Sequence, residues 1–178
     1  MERADNLQKL LRGMTRGDFE QKYPHLWLLR ELDEEERPPV VHGATDDDVR
    51  KTLSAAKRPR RPRPRMSARL RAEPSRYGLY PIAKTEANPW RDRIMVGRAS
   101  NNDLVLRNES VSKVQAYFQR GRDLVWRIYD AKSANGTRVD GRVAPPGGEG
   151  IEVKSGSVLA FGTLHCEVIG SSELYDAL

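Results

Sequence analysis

An antiparallel β-sandwich preceded by a small helical arm is the fold class this sequence predicts, on three observations. From Tyr77 onward the chain breaks into short runs rich in β-branched and aromatic residues, such as Leu124-Val125-Trp126-Arg127-Ile128-Tyr129, which suit a half-buried pleated surface. Turn markers such as Asn135-Gly136, Asp140-Gly141 and Ser155-Gly156 separate these runs too closely for intervening helices, which indicates a sandwich and not a βαβ fold. Before Tyr77 the composition changes twice. Lys and Arg number 8 against 12 Asp and Glu over residues 1–50, 10 against 1 over 51–76, and 13 against 12 over 77–178. The net charge of +6 therefore belongs to a connector and not to the sandwich.

At 178 residues and 38% hydrophobic, the chain suffices for one ordinary domain with appendages. A single cysteine, Cys166, excludes an intramolecular disulfide framework and a cysteine-rich metal site, and fits a reducing compartment. No apolar run reaches bilayer length, and Met1-Glu2-Arg3-Ala4-Asp5-Asn6 lacks the basic start and apolar run of a signal peptide. The expectation is a soluble, cytoplasmic protein with no membrane partner.

Residues 5–36 read as helical. Leu7, Leu10, Leu11 and Met14 fall at i, i+3, i+4 and i+7 on one stripe, Thr15-Arg16-Gly17-Asp18 breaks and recaps the chain, and Leu26, Trp27, Leu28, Leu29 and Leu32 form a third apolar group. Thr45, followed by Asp46, Asp47 and Asp48, is a good N-cap for a last short helix running to Ala56. The arm is read as a helical hairpin packed on itself or on the sandwich. The alternative is a partner-docking stripe of Leu7, Leu11, Trp27 and Leu29, less favoured because an apolar helical stripe is more often core than interface. Lys57 to Arg71 is dense in arginine and proline. Self-repulsion and proline keep such a stretch extended, so it is read as a linker. The expected organisation is an acidic helical arm over 1–56, a basic linker over 57–76, the sandwich over 77–170 and a tail over 171–178.

Within the sandwich, strands are expected at 77–82, 93–96, 104–106, 116–119, 124–129, 137–139, 151–153, 158–161 and 164–169. Cys166 alternates with Leu164 and Val168 on one strand face, which predicts a buried structural thiol with His165 pointing the other way. Trp126 is expected in the core.

Three loop segments stand out. Gly97-Arg98-Ala99-Ser100-Asn101-Asn102-Asp103, Val111-Ser112-Lys113-Val114-Gln115-Ala116 and Ser133-Ala134-Asn135-Gly136-Thr137 follow one another between strands, and loops of that kind meet at one end of a sandwich. Phosphopeptide recognition needs a guanidinium to chelate phosphate oxygens, hydroxyl and backbone donors to complete the shell, and an amide to hold the peptide backbone. Arg98, Ser112, Lys113 and Asn135 supply that set. Gly97, Asn102, Asp103 and Gly136 shape the turns whether or not anything binds.

With Gly156-Ser157-Val158-Leu159-Ala160-Phe161-Gly162 added, these ordered blocks resemble the forkhead-associated (FHA) domain family over residues 77–170. The family pattern runs Gly-Arg, Asn-Asp-Ile/Leu-Val, Val/Leu-Ser-x-x-His-Ala, Ser-x-Asn-Gly-Thr-x-Val-Asn-Gly and Gly-Asp-x-Ile-x-Phe-Gly. The resemblance implies an eleven-stranded sandwich whose end loops bind phosphothreonine in partner proteins without catalysis. It implies Arg98 and Ser112 as phosphate ligands, Lys113 as an auxiliary, and Asn135 as the clamp on the peptide backbone, supported by Gly97, Asn102, Asp103, Gln115, Gly136 and Thr137. Gln115 stands where the family has histidine, and its amide has the hydrogen-bonding capacity to replace the ring's. Ala134 replaces a common Thr or Ser, so one polar contact is missing. Asp140 and Ser157 replace common Asn and Asp at turns.

The function these readings favour is a phosphothreonine-dependent adaptor in bacterial serine/threonine-kinase signalling, its partner a kinase or kinase substrate. Two alternatives stand beside it: a phosphate-independent interaction scaffold, and nucleic-acid attachment through Lys57 to Arg71. The sequence shows no nucleophile with a base, no His/Cys/carboxylate cluster at metal spacing and no Walker loop, so neither catalysis nor a metal or other cofactor is expected.

Overall fold

The structure, a computed structural model, describes residues 1–36 and 65–178. The helix expected from Thr45 to Ala56 and the basic run from Lys57 to Pro64 lie outside the described residues. Among the described residues, twelve strands build two sheets. In the first, β1 (Glu2–Arg3), β3 (Tyr77–Pro81), β2 (Trp27–Glu31), β12 (Leu164–Ile169), β11 (Val158–Phe161), β8 (Thr137–Val139) and β9 (Arg142–Val143) lie side by side in that order. The second runs β10 (Ile151–Glu152), β7 (Trp126–Asp130), β6 (Ala116–Arg120), β4 (Ile94–Gly97) and β5 (Leu104–Val105). These strands pair antiparallel, except β4 with β5. The core between the sheets holds Leu28, Val96, Phe118, Ile128, Leu159, Phe161, Cys166 and Val168, with Trp126 packed half-buried against it. Burial pushes the Cys166 thiol up to about 12, so at neutral pH it is an inert apolar filler while exposed His165 faces away.

The arm is where sequence and structure part. Residues 27–31 form a strand, not a helix, and that strand lies inside the first sheet. Trp27 to Arg30 pair with Ile169 to Cys166 on one side, and Trp27 to Glu31 with Pro81 to Tyr77 on the other. A short unbroken apolar run is ambiguous between helix and strand by periodicity alone, and here two partner strands decide it. Both faces of β2 are covered: Leu28 enters the inter-sheet core, while Trp27 and Leu29 enter a second core outside the sheet. Together with the two-residue β1, this takes the sandwich beyond the eleven strands implied by the resemblance.

The second core is roofed by helices α1 (Ala4–Leu11), α2 (Arg16–Lys22), α3 (Met66–Leu70) and α4 (Ser171–Ala177). Leu7, Phe19, Leu70, Tyr77, Leu79, Ile169, Leu174 and Leu178 fill it around Trp27. Leu7, Leu11, Trp27 and Leu29 are therefore core members and not an open docking stripe, whereas Leu10 is 57% exposed and leaves the predicted stripe. At α2 the expected recapping is present: Thr15 Oγ1 accepts from the Asp18 amide and the Asp18 carboxylate accepts from the Thr15 amide. The C-terminal tail is the helix α4, anchored by Ser171 hydrogen bonds to the Tyr23 and His25 carbonyls.

The linker also ends earlier than its composition suggests. Met66–Leu70 is helical, Leu70 is fully buried, and Ser67 donates from backbone and hydroxyl to the buried Glu167 carboxylate. Arg69 pairs with Glu73 and Arg71 donates to the Asp176 carbonyl. Arginine content dominates a reading by composition, but the few apolar residues, Met66 and Leu70, fix this segment by packing.

Candidate phosphate-binding rim

Three connections meet at the end of the sandwich where β4 and β7 finish and β6 and β8 start. They are the β4–β5 loop carrying Arg98 and Asn102, the β5–β6 loop carrying Ser112 and Lys113, and the β7–β8 loop carrying Asn135. Backbone hydrogen bonds join the first two: Arg98 N donates to Ser112 O at 2.9 Å and Ala99 N to Lys113 O at 3.2 Å. Asn102, buried, adds its side-chain amide to the carbonyls of Ala99 and Lys113 at 2.7 and 2.8 Å. Gly97 is required by this closeness, because a Cβ there would run into the Lys113 carbonyl. At Gly136 the requirement is conformational, with φ of +76°.

Gln115 joins the second loop to the third. Fully buried, it accepts from the Ser112 amide at 2.9 Å and donates to Gly136 O at 3.1 Å and Thr137 Oγ1 at 3.0 Å. The amide thus spans the two loops with both of its ends. Replacing Gln115 by Ala leaves the Ser112 amide and Gly136 carbonyl without these partners, and unmade buried hydrogen bonds cost roughly 1–3 kcal/mol each. The expected result is a lower denaturation midpoint together with weaker ligand binding, measured by urea titration and by peptide titration of the same variant.

The candidate ligands keep free valences. Arg98 is exposed, and its Nε donates to Val111 O at 3.2 Å, which aims the guanidinium while its terminal nitrogens have no partner among the described residues. Ser112 Oγ accepts from Ala134 N at 3.0 Å, leaving its own proton for a ligand. Asn135 Nδ2 donates to Ser110 O at 2.9 Å and its carbonyl oxygen is unspent among the described residues. Lys113 is exposed and forms no ion pair among them. At Ala134 the backbone amide meets Ser112, and the methyl side chain adds no polar contact.

Asp103 turns elsewhere. Its carboxylate accepts from Lys84 Nζ, Thr85 N and Oγ1, Asn88 Nδ2 and Met95 N, all at 2.7–2.8 Å. It anchors the connection between β3 and β4 and touches neither the Ser112 loop nor the Asn135 loop. Burial alone would raise its pKa, but donation from Lys84, Asn88, the Met95 amide and Thr85 outweighs this and holds the carboxyl at about 2, below the ordinary 3.8. A depressed folded-state pKa contributes stability above the unfolded value that is lost as pH falls through the folded one. About 2 kcal/mol is therefore expected to disappear between about pH 4 and pH 2. Urea midpoints of wild type and Asp103→Asn should converge over that window.

Two supporting residues escape sequence reading. Asp130, buried at the end of β7, accepts from Ser133 N and Oγ and from Thr137 Oγ1. Ser110 holds Asn135 through its carbonyl, and its hydroxyl accepts from Thr163 N at 3.2 Å.

The family model of the FHA domain matches residues 94–162, which span β4 to β11 and all three rim loops. Over these residues the chain is similar to FHA domains. Among solved structures, the chain is similar to the FHA domain of CT664 from Chlamydia trachomatis, at 17% identity and TM-score 0.46, covering 81% of this chain and 96% of that one. It is also similar to the N-terminal FHA domain of Saccharomyces cerevisiae Rad53p in complex with a phosphothreonine peptide (16%, TM-score 0.44, 57% of this chain and 90% of that one). Mycobacterium tuberculosis EmbR in complex with a low-affinity phosphopeptide is similar over 52% of this chain but only 21% of its own length, at 20% identity and TM-score 0.41. Among curated proteins nothing matches this chain. The FHA match begins at Ile94, so β1, β2, β3 and the helical roof lie outside the matched residues.

Proposed function

We propose that this protein is a non-catalytic adaptor that binds phosphothreonine peptides in serine/threonine-kinase signalling. Arg98 and Ser112 hold the phosphate, Lys113 adds positive charge beside it, and Asn135 holds the peptide backbone. The observation that carries this reading is the state of the rim: its loops are pinned from behind by Gln115 and Asn102, while the outward donors of Arg98 and Ser112 remain unspent among the described residues. Preorganised, unsatisfied donors around an exposed guanidinium favour a tetrahedral dianion over a neutral peptide. The ligand class is the one the Rad53p domain holds in its complex, a phosphothreonine peptide.

Titration of the full chain against fluorescent degenerate peptide pools tests this. The phosphothreonine pool should bind, and the phosphoserine and unphosphorylated pools should bind much more weakly. Equal binding of all three would leave the rim as turn architecture and favour a phosphate-independent scaffold.

A further inference from the structure

The end of the sandwich opposite the phosphate rim is hollow. A cavity of about 850 Å³ opens there between the start of β2 and the end of β3 in one sheet and the start of β4, the end of β6 and the start of β7 in the other. Its floor is Leu26, Ile82, Ile94, Phe118 and Trp126, which belong to the inter-sheet core or pack against it. One wall comes from Glu20, Pro24 and His25 of the arm and from Ser171 and Ser172 of α4, all outside the matched residues 94–162. The arm therefore makes this cavity, and the matched residues alone would not. The charges at its mouth are unequally engaged. Glu20 accepts from Arg16 Nε at 3.1 Å and from Ser172, and Asp92 accepts from Gln119 Nε2 at 2.9 Å. Lys84 is spent on Asp103, at 2.8 Å. Arg91 is exposed and forms no hydrogen bond or ion pair among the described residues, while exposed Arg120 uses only its Nε, on the Leu124 carbonyl at 3.0 Å. What remains for an incoming group is two guanidinium forks. Exposed apolar side chains adjoin both along the chain, since Trp90 precedes Arg91 and Leu124 holds Arg120.

We propose that this cavity is a second docking site, for an acidic segment of a partner protein that inserts one large apolar side chain and pairs its Asp or Glu residues with Arg91 and Arg120. Charge complementarity sets the acidic flanks. The concave apolar floor sets the anchor, because a side chain entering it extends the core that Ile82 and Phe118 already form. A flat bilayer would meet Trp90 and Leu124 but could not reach those two buried residues. An adaptor has to hold two partners, and sites at opposite ends of the sandwich can be filled together. This inference does not depend on phosphothreonine binding at the rim.

The test uses the full chain and three fluorescent, unphosphorylated peptide pools: a fixed central Leu among degenerate Asp and Glu positions, the same with Ser at the centre, and a central Leu among Lys and Arg positions. The acidic Leu pool should bind, and the other two should bind roughly tenfold more weakly or worse. Arg91→Glu combined with Arg120→Glu should weaken the acidic Leu pool by roughly ten- to thirtyfold, the range for reversing two partly exposed ion pairs, with the urea midpoint near wild type. Ala83→Trp, which fills the cavity and keeps its charges, should weaken the same pool. Affinity for this pool should survive Arg98→Ala; binding lost with Arg98 belongs to the phosphate rim and overturns the inference. No preference for the acidic Leu pool, or a preference that survives both cavity variants, overturns it too. Binding to phosphatidylserine vesicles without binding to the acidic Leu pool overturns it in favour of a bilayer surface. None of these outcomes bears on phosphothreonine binding, which the peptide pools of the preceding section test separately.

Discussion

A chain cut to residues 77–178 is expected not to fold cooperatively, although it contains every residue of the FHA match. Removing residues 1–36 extracts β2 from between β3 and β12, and with it the pairing of Trp27 to Arg30 on β12 and of Trp27 to Glu31 on β3. β12 becomes an open edge, and β3, whose partners β1 and β2 both lie in residues 1–36, keeps no strand beside it, so backbone donors and acceptors are exposed for aggregation. Leu79, Ile169 and Leu174 lose Trp27, Leu29, Phe19 and Leu7 as packing partners. Buried Arg30 goes as well, and with it the bridge from Tyr80 to Asp33 and Glu36. In the full chain Trp27→Ala alone should cost about 3–5 kcal/mol, a large share of the roughly 5–15 kcal/mol that holds an ordinary domain folded. Far-UV circular dichroism with urea titration checks both. A 77–178 fragment that unfolds cooperatively at the full chain's midpoint would show that β2 is an ornament.

The second large effect concerns Arg98. Each charge-assisted hydrogen bond contributes roughly 1.5–3 kcal/mol, and a guanidinium chelating two phosphate oxygens makes two. Arg98→Ala is therefore expected to weaken phosphothreonine-peptide binding by roughly a hundredfold or more. The urea midpoint should stay nearly fixed, because the side chain is exposed and its hold on the described residues is one bond, from Nε to the Val111 carbonyl. Arg98→Lys should recover only part of the affinity, since an ammonium cannot reproduce the planar fork. A variant that lost binding and stability together would instead mark Arg98 as a structural residue.

The rim was legible in the sequence because its chemistry is local. Gly97, Asn102, Gly136 and the Ser and Asn between them announce turns wherever they stand, and their order along the chain brought the loops together. Gln115 was legible as a departure from a familiar pattern, and its amide spans the same two loops that the expected histidine was thought to support. What escaped was decided at long range. Nothing within Leu26 to Leu32 says that Ile169 and Pro81 will lie on either side of it, so an apolar run that suits a helix became a central strand. Composition hid the fold of 65–76 for a related reason: ten cations over 51–76 outweigh Met66 and Leu70 in any average, yet burial of those two decides the conformation. Asp103 shows a third kind of miss, since its motif position points to the rim while its five donors lie in residues 84–88 and at Met95.

The measurement that tests the rim most directly is chemical-shift mapping of the isotope-labelled full chain as a phosphothreonine peptide is added. The backbone amides of Arg98, Ser112, Lys113, Ala134 and Asn135, with the Arg98 Nε–H, should shift first and furthest, and the unphosphorylated peptide should leave them in place. Shifts centred instead at the opposite end of the sandwich, around Leu26, Phe118 and Trp126, or shifts indifferent to the phosphate, would contradict the assignment.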